Sequence, residues 1–470
     1  MLGEIRMKKN NSDDSRFSPG RRQLLAGIAA SAAGAATLAA CGDSSNVENA
    51  SSANLPDPAT SGIDHIVVVM MENRSFDHYY GWLPGADGMQ AGRSFVDTAG
   101  NTQMSHHLTD YQNCDSADPD HSYAGGRKEL NNGAMDGFLL PSTPGDTFPI
   151  GYYTESDLPF HGPAARNWTV CDRYFCSILA ETDPNRFYMH SGQTSKLHNS
   201  DPPSVTTLPT IWDALKAKGL QGRYYYSDVP YTAEYGSKYL DISFPFATFL
   251  AEAAAGTLPQ VSYVDPAFIG EAEGVSRDDH PLADIRNGQA FLNQVYNAVR
   301  NSPNYANTLL VINYDEWGGF ADHVAPGFAP ITAAESALGN DGRLGFRVPV
   351  VIIGPRARRG YVEHTQFDHT SVLNLMLWRW GLTPFYPRAS TSNNLALALD
   401  FDNPPDTSAT PAFDVPAGPF GIACSLQSLL PSGASLAQVD AITKSRAAHI
   451  LEMQMLKTKA QRLGFPIYGG

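Results

Sequence analysis

Apolar residues recur along this chain in short runs, and the segments between the runs carry the spacing of amphipathic helices. The clearest run occupies 66–71 and contains no polar residue. Such a run is typical of a strand buried on both faces of a parallel sheet. Comparable runs predict further strands at 223–226, 261–264, 308–313 and 348–353.

Helical patterns lie between these strands, at 210–218, 282–299 and 370–380. The second of them carries an inner stripe made up of Leu282, Ile285, Gln289, Leu292 and Val295. Because strands and helices alternate, the pattern favours an α/β fold with a mainly parallel sheet flanked by helices.

The remaining segments indicate how the chain is divided. Residues 41–62 are rich in Ser, Asn, Ala and Pro, which predicts a flexible tether. Residues 63–395 are expected to form one domain with long loops over 90–165, where Gly, Asp, Asn and Pro are frequent. A Pro-rich segment and a terminal helix at 436–463 are expected to make up residues 396–470 and to pack on the same domain.

The N-terminus has the features of an export signal. Arg21 and Arg22 precede a small-residue apolar stretch, so that 1–40 resembles a twin-arginine signal peptide. Residues 38–41 resemble a lipobox, which predicts a lipid on Cys41; plain cleavage just before this cysteine, with release, is the alternative. We therefore expect an exported protein that is periplasmic, anchored at the outer membrane by a lipid, or secreted.

The charge and hydropathy of the chain argue against binding to nucleic acids and against insertion into membranes. The net charge is -15, which opposes binding of nucleic acid through its phosphates and a broad electrostatic hold on anionic membranes. No internal apolar run reaches the roughly 20 residues that a membrane helix needs. The only membrane contact expected is therefore through the lipid anchor.

The cysteines allow several arrangements. Cys114, Cys171, Cys176 and Cys424 follow Cys41, and four cysteines allow three pairings among which the sequence does not choose. A strand between Cys171 and Cys176 would point their side chains apart. Because the chain has no Cys-x-x-Cys pair, a structural zinc site is not expected.

Oxygen-bearing side chains follow two of the predicted strands. Glu72 and Asn73 stand at the end of the first, and Asp315 and Glu316 stand just beyond 308–313. In open α/β sheets ligands bind at the carboxyl ends of strands, and oxygen donors suit a hard divalent cation. The alternatives are a simple helix cap for the first pair and a solvated acidic turn for the second.

Thr182 is a candidate nucleophile. Asp183 followed by Pro184 fits the N-cap and the first position of a helix. This would place the Thr182 hydroxyl beside a helix N-terminus, where backbone amides stabilise phosphate. The alternative is an ordinary helix start.

Four histidines complete the candidate chemistry. His121, His280 and His369 each follow an acidic residue that would orient the imidazole or raise its pKa, and His323 lies within loop reach of the carboxylate pair. The alternative for each is a surface or structural histidine. For His369 in particular, this means a residue that opens a helix capped by Asp368.

Seven segments in order, spanning residues 63–385, together resemble one family: the phosphoesterases that include bacterial phospholipases C and a respiratory-burst-inhibiting type of acid phosphatase. The segments are Glu-Asn-Arg-Ser-Phe-Asp-His-Tyr-Tyr-Gly at 72–81, Asp-His-Ser-Tyr at 120–123, Met-Asp-Gly-Phe at 135–138, Thr-Asp-Pro-Asn-Arg at 182–186, Asp-His-Pro at 279–281, Tyr-Asp-Glu-Trp-Gly-Gly-Phe at 314–320 with Asp-His-Val at 322–324, and Asp-His-Thr-Ser-Val-Leu at 368–373.

The resemblance implies an alkaline-phosphatase-like fold, with a central mixed, mostly parallel sheet flanked by helices and long inserted loops. It implies one divalent metal ion, for which Ca, Mg, Mn, Fe and Zn stay open. The implied metal ligands are Glu72, Asn73, Thr182, Asp315 and Glu316.

The resemblance also implies a reaction. Thr182 matches the nucleophile, which would form a phospho-threonine that water then cleaves. His121, His280 and His323 match residues near the phosphoryl oxygens, where they would neutralise charge and protonate the leaving oxygen. Asn73 and His369 match positions that would also contact the substrate.

Three departures from the family pattern bear on the substrate. Ala180 and Glu181 stand where phospholipases often have Gly-Pro, and the extra carboxylate would repel anionic substrates or bind a second cation. Tyr123 stands where Trp is common. The chain is also expected to lack the C-terminal β domains of the larger haemolytic phospholipases.

The prediction is an exported hydrolase that cleaves phosphodiesters of phospholipids as a phospholipase C does. A broad acid phosphatase acting on small phosphate monoesters is the first alternative. A lipid-anchored binding protein that keeps the fold without catalysis is the second. The complete set of Glu72, Asn73, Thr182, Asp315 and Glu316 argues against the second alternative.

Overall fold

The computed structural model describes residues 55–143, 145–202, 204–271, 273–424 and 436–468. The predicted signal peptide, the lipobox with Cys41 and most of the predicted tether lie outside these residues. Within them, no helix combines the length and the apolar character that crossing a bilayer requires.

The strands are β1 (His65–Met71), β2 (Ser94–Val96), β3 (Thr102–Met104), β4 (His106–His107), β5 (Gly151–Tyr152), β6 (Thr169–Cys171), β7 (Tyr174–Phe175), β8 (Gly222–Tyr226), β9 (Ser243–Pro245), β10 (Val261–Asp265), β11 (Thr308–Tyr314), β12 (Val351–Ile353), β13 (Tyr361–Glu363) and β14 (Phe367–Asp368).

The α-helices are α1 (Phe76–Tyr80), α2 (Tyr123–Leu130), α3 (His161–Asn167), α4 (Thr182–Ser191), α5 (Ile211–Ala217), α6 (Phe246–Ala255), α7 (Ile285–Arg300), α8 (Ala333–Leu338), α9 (His369–Trp380) and α10 (Leu436–Leu463). Shorter 3-10 segments occupy Pro58–Thr60, Asn131–Gly133, Phe148–Ile150, Glu155–Asp157, Tyr231–Ile242, Tyr305–Asn307, Pro387–Ser390 and Leu395–Ala398.

The central sheet has the strand order β13-β6-β12-β11-β1-β10-β8-β9. Strand β12 runs antiparallel to both of its neighbours, and the other pairs in this sheet are parallel. The predicted mixed, mostly parallel sheet is therefore confirmed.

Strand β1 lies at the middle of this sheet because its side chains are apolar on both faces. From Ile66 to Met71 every residue is buried, and β1 pairs in parallel with β10 on one side and β11 on the other. Three neighbouring parallel strands therefore end at the same edge of the sheet. That edge carries Glu72, Asp265 and Asp315.

The strand expected at 348–353 and the loops expected at 90–165 differ from the structure for identifiable reasons. The strand expected at 348–353 is only Val351–Ile353 long, since Pro349 has no N–H to donate to a ladder. The region 90–165 is not all loop, because it contains β2 to β5 and the helices α2 and α3. Helix α2 forms within this Gly-rich region because Ser122 caps it, accepting a hydrogen bond from the Gly125 N–H.

The structure selects one cysteine pairing from those left open. Cys114 and Cys424 form a disulfide across 310 residues of sequence. Cys171 and Cys176 are reduced and buried, at the end of β6 and just after β7.

Helix α10, whose predicted bounds match the structure, lies against the body of the domain. Arg446 hydrogen-bonds to the Cys114 carbonyl, and Lys459 pairs with Glu234. At the other end of the described chain, Ser61 is buried and its carbonyl accepts a hydrogen bond from Arg356 Nε at 2.7 Å. The last residues of the predicted tether are therefore held against the domain.

Candidate active site

The two oxygen-rich segments meet at the sheet edge because β1 and β11 are paired in register, with Met71 opposite Tyr314. The Asn73 N–H donates to Asp315 Oδ1 at 3.2 Å. Asn73 itself has a positive φ of 60°. Gly318 is required opposite it, since a Cβ there would stand 2.2 Å from the Asn73 carbonyl oxygen.

Each of the two carboxylates after β11 has one oxygen held by the backbone and one left free. Asp315 Oδ1 also accepts from the Glu316 N–H at 2.7 Å, and Glu316 Oε2 accepts from the Gly318 N–H at 2.7 Å. Asp315 Oδ2 and Glu316 Oε1 are buried and have no hydrogen-bond partner among the described residues.

The residues after β1 repeat this arrangement. Glu72 Oε1 accepts from Arg186 Nη2 at 2.8 Å, whereas Glu72 Oε2 and Asn73 Oδ1 are buried without a partner in the described part of the chain. Glu72, Asn73, Asp315 and Glu316 thus each offer one unpaired oxygen, and we call these four side chains the oxygen cluster. Since leaving a buried polar atom unpaired costs about 1–3 kcal/mol, this donor set fits a hard divalent cation.

Arg186 is a site residue that the sequence did not single out. It lies on α4, one turn after Thr182, and its fully buried guanidinium contacts Glu72, Asp265 at 3.3 Å and Asp315 at 3.4 Å. It supplies one positive charge to a set of carboxylates that carries several negative ones. The sequence does contain one indication that Arg186 belongs to the site: it lies in the 182–186 motif, one helical turn after the candidate nucleophile.

Burial and mutual repulsion raise the pKa values of these carboxyl groups. Burial and then Asp315 raise the pKa of Glu72 well above its usual range. Burial also raises the pKa of Glu316 well above its usual range, against the opposing effect of His121. The carboxylate charges are therefore under-compensated by the protein alone, as expected of a site that binds a cation.

Thr182 opens α4, and the details differ from the sequence-based prediction. The N-cap is Glu181, so Asp183 and Pro184 lie two residues further into the helix than expected. The Thr182 hydroxyl makes no hydrogen bond within the described residues, and the residue lines the same cavity as Glu72. A free hydroxyl at a helix N-terminus beside the oxygen cluster suits attack on phosphorus.

His121 faces the oxygen cluster. Its Nε2 lies 3.5 Å from Asn73 Nδ2 and 4.0 Å from Glu316 Oε1, and its Nδ1 is held by the Pro119 carbonyl at 2.9 Å. Burial lowers its pKa, but Glu316 and then Asp118 outweigh burial, so the pKa of His121 is raised well above its usual value. These two carboxylates therefore favour the protonated form of the imidazole.

His280 lies beside His121, with ring centroids 6.0 Å apart. Burial, and then the neighbouring His449 and His121, lower the pKa of His280 well below its usual value, so the ring is neutral. His449 stacks on it at 3.7 Å. Sequence reasoning missed His449 because it lies on α10, outside the recognised motifs.

His323 is brought into a different cluster. Its Nδ1 lies 2.6 Å from Asp77 Oδ2 and its Nε2 lies 3.0 Å from Asp87 Oδ1, and Arg347 pairs with Asp77 and Asp322 beside it. Within the described part of the chain, His323 makes no hydrogen bond or ion pair to the oxygen cluster. Its position fits a support for the loop after β11, and its catalytic role stays a prediction.

His369 lies behind the site. It is fully buried at the start of α9, and its Nε2 donates to the Tyr314 carbonyl at 3.1 Å. Burial lowers its pKa to about 4, so that the ring is neutral. It supports the backbone just before Asp315, and its predicted contact with the substrate stays a prediction.

The unusual Glu181 is tied to its neighbours. Its Oε1 lies 2.9 Å from His198 Nδ1, and its Oε2 accepts from the Asn199 N–H at 2.7 Å. Both oxygens are therefore engaged, which leaves the carboxylate poorly placed to bind the second cation considered for it.

A cavity of about 910 Å³ opens over Glu72 and Thr182. One side of it is polar, with Asp183 and Lys196, and much of the remainder is apolar. The apolar lining includes Val205, Phe268, Leu451, Met455, Leu456 and Leu463, and the last four of these lie on α10. The terminal helix thus forms a wall of the cavity that contains the candidate nucleophile.

A model of the Phosphoesterase family matches residues 63–383. Non-specific phospholipase C1 of Arabidopsis thaliana is 33% identical to this chain over 349 residues, which cover 66% of this chain and 65% of that protein, slightly less than two thirds of its length. Phospholipase C B of Mycobacterium tuberculosis (strain ATCC 25618 / H37Rv) is 30% identical over 465 residues, with 83% of this chain and 87% of that protein covered. Among solved structures, a protein in the alkaline phosphatase superfamily from Vibrio parahaemolyticus is 11% identical with a TM-score of 0.35, covering 70% of this chain and 69% of that one.

Proposed function

Because this chain belongs to the phosphoesterase family, we propose that it is an exported, metal-dependent enzyme that hydrolyses phospholipid phosphodiesters as a phospholipase C does. The family and the assignment to the hydrolases of phosphoric esters, both predicted from the motifs, are confirmed by the family match and the phospholipase C relatives. Export is proposed from the twin-arginine-like pattern of 1–40.

The observation that carries the choice of substrate is the cavity over Thr182. A phospholipid presents a charged phosphodiester joined to an apolar diacylglycerol. The cavity offers oxygen ligands and Thr182 at one end and the apolar face of α10, with Leu451 and Met455, beside them. Its volume of about 910 Å³ falls within the usual range of small-molecule sites, roughly 300–1,000 Å³. A small monoester would leave the apolar wall uncovered.

The cation is proposed to bind the unpaired oxygens of Glu72, Asn73, Asp315 and Glu316. One divalent charge together with Arg186 would balance the three carboxylates of this set. When bound, such an ion would polarise a phosphoryl oxygen and lower the pKa of a nearby hydroxyl such as that of Thr182, whose proton would pass to solvent water.

The chain's own groups account for the remaining steps. Thr182 Oγ1 attacks phosphorus, and the bond between phosphorus and the ester oxygen of the diacylglycerol breaks. His121, whose protonated form Asp118 also favours, donates its proton to that oxygen. Water then cleaves the phospho-threonine, with the neutral His121 accepting a proton from it, and the phosphorylated head group leaves.

The substrate test compares two reactions of the full chain after reconstitution with Ca²⁺, Mg²⁺, Mn²⁺, Fe²⁺ or Zn²⁺ in turn. We expect phosphocholine release from phosphatidylcholine vesicles with at least one ion, and loss of this release on chelation. Release of phosphate from p-nitrophenyl phosphate alone would favour the acid phosphatase. Absence of both reactions together with absence of bound metal would favour the non-catalytic binding protein.

The nucleophile has its own test. Thr182→Ala should lower phosphocholine release by about 10³-fold or more, while Thr182→Ser, which keeps a hydroxyl, should retain part of it. Thr257→Ala, at an exposed position after α6, is the matched control and should be unaffected. Acid quenching during turnover should trap a phosphoryl group on Thr182 by mass spectrometry; near-normal turnover of Thr182→Ala would refute the assignment.

A further inference from the structure

The segment after α4 holds both neighbours of Thr182. The Asn199 N–H donates to Glu181 Oε2 at 2.7 Å, and His198 Nδ1 lies 2.9 Å from Glu181 Oε1. On the other side of Thr182, the Asp183 N–H donates to Asn199 Oδ1 at 2.8 Å. Asn199 therefore contacts the residue before the candidate nucleophile through its backbone and the residue after it through its side chain.

Asn199 supplies a cap that the first turn of α4 does not provide for itself. In the described part of the chain, the N-cap residue Glu181 makes no capping hydrogen bond with its side chain, and Pro184 has no N–H. The N–H groups at the start of a helix need partners from outside the helix, and Asn199 provides one for Asp183. Loss of the Asn199 side chain would therefore loosen the turn that begins with Thr182.

Lys196 fixes the backbone of Asn199. Its Nζ, which is buried, donates to the Asn199 carbonyl at 3.1 Å and pairs with Asp183 Oδ2 at 2.7 Å. Because one ammonium contacts both residues, Asn199 and the start of α4 are held together by a second link.

The other end of the Asn199 side chain reaches α10. Its Nδ2 donates to Glu452 Oε2 at 3.1 Å. The two ends of this amide cannot be exchanged, since the Asp183 N–H only donates and needs the amide oxygen, whereas a carboxylate accepts from the NH₂ group. One side chain thus joins α10 to the first turn of α4.

We propose that Asn199 is a positioning residue that makes the orientation of Thr182 depend on the docking of α10. With α10 in place, Glu452 orients the Asn199 amide, and the amide holds the first turn of α4 so that Thr182 Oγ1 stays beside the oxygen cluster. Asn199 acts through Thr182 and needs no contact with the substrate. The inference rests on Thr182 as the proposed nucleophile, and it links that residue to a helix whose contact lies 253 residues from Asn199 in sequence.

The first experiment exchanges the donor and the acceptor of the contact with α10. Asn199→Ala should lower kcat for phosphocholine release by about tenfold or more and leave KM nearly unchanged, because a displaced nucleophile slows attack without weakening binding. Asn199→Asp keeps an acceptor for the Asp183 N–H but sets a second carboxylate against Glu452, and it should be impaired as well. Combining Asn199→Asp with Glu452→Gln reverses the direction of this hydrogen bond and should restore most of kcat.

The matched control is Asn301→Ala, at an exposed asparagine after α7, which should keep the kcat and KM of the wild type. With p-nitrophenyl phosphate as the substrate, the same ranking of kcat values is expected, because Thr182 attacks phosphorus in either reaction. The ranking therefore tests Asn199 whichever of the two esters the enzyme prefers.

A second measurement does not depend on turnover. Hydrogen exchange of the Asp183 amide should rise in Asn199→Ala, because its acceptor is removed. It should also rise in Glu452→Ala, in which the acceptor remains but α10 no longer orients it, and kcat should fall in this variant too. Exchange in Asn301→Ala should match that of the wild type.

The proposal is overturned if Asn199→Ala keeps a near-normal kcat, if it raises KM at unchanged kcat, or if the double variant is no more active than Asn199→Asp. Should Asn199→Ala not fold, Glu452→Ala decides through its kcat and its amide exchange. Absence of both activities in the wild type would count against the proposed function. Exchange of the Asp183 amide in Glu452→Ala would then decide alone, and an unchanged rate would rule out the link from α10.

Discussion

At the scale of single residues, the site depends on a close approach between two loops. Asn73 takes a left-handed backbone conformation, and Gly318 packs on its carbonyl with no room for a side chain. This contact holds the residues after β1 against those after β11. The spacing of the four unpaired oxygens therefore depends on a glycine that binds nothing itself.

Gly318→Ala should destabilise the protein and weaken metal binding, because its Cβ would displace the Asn73 backbone. Gly85→Ala is the matched control: Gly85 also has a positive φ, of 86°, but has open space around it. The control should cost about 1 kcal/mol in free energy of unfolding from backbone strain alone, and Gly318→Ala clearly more. Urea unfolding and metal titration measure both effects; equal costs would contradict the steric argument.

Much of this residue-scale picture could be predicted from the sequence. The sequence predicts that Glu72, Asn73, Asp315 and Glu316 meet, because parallel strands bring their carboxyl ends to one edge; that they bind a metal ion stays a prediction. Arg186 was not identified, since an arginine within a helix gives no sign of which carboxylates it will meet. The convergence of His280 and His449 depends on how α10 packs, which the sequence spacing of the two residues does not reveal.

At the scale of elements, one face of α10 contacts His280 and another face lines the cavity over Thr182. His449 reaches toward His280, and the next turns present Leu451 and Met455 to the cavity over Thr182. Leu451 and Met455 are more than half exposed, so no other part of the described chain covers them. The sequence predicted the bounds of α10 from its helical pattern, but not which face meets the site, because its apolar stripe is weak.

A charge on this wall should separate the two candidate substrates. Met455→Asp is expected to lower phosphocholine release from phosphatidylcholine by about tenfold or more. The reason is that the diacylglycerol part of the lipid would contact a charged side chain in place of an apolar one. Cleavage of p-nitrophenyl phosphate, which needs no such wall, should change little. Ala447→Asp, exposed on the same helix, is the control; a parallel loss of both activities in Met455→Asp would contradict the role of the wall.

At the scale of the whole molecule, several histidines are enclosed in the core as neutral rings. His190 accepts a hydrogen bond from Trp212 Nε1, and burial, with Arg186 nearby, lowers its pKa to about 3. Burial likewise lowers the pKa of His161 to about 3. The pKa of a histidine in an unfolded chain is near 6.5. Between about pH 3 and about pH 6.5, these histidines are therefore protonated in the unfolded chain and neutral in the folded one.

The sign of the pH dependence follows. The contribution of such a histidine to the free energy of unfolding is fully present above about pH 6.5. It is lost as the pH falls toward the pKa of the folded state, and the free energy of unfolding then decreases by about 1.4 kcal/mol per pH unit. His190→Gln keeps an acceptor for Trp212 and should reduce the slope of unfolding free energy against pH by about that amount between pH 6 and 4. His364→Gln is the exposed control; an unchanged slope in His190→Gln would show that His190 is protonated in the fold.

The order of the elements along the chain has a consequence for biosynthesis. Residues are added from the N-terminus, so β1, α4 and β11 are complete well before α10, and domains tend to fold as they emerge. Until α10 arrives, the cavity over Thr182 lacks one wall and Glu271 lacks His449. The nascent chain is therefore expected to pass through a stage in which the candidate catalytic groups are assembled and the apolar cleft over Thr182 is open to solvent; this stage ends when α10 packs against the domain.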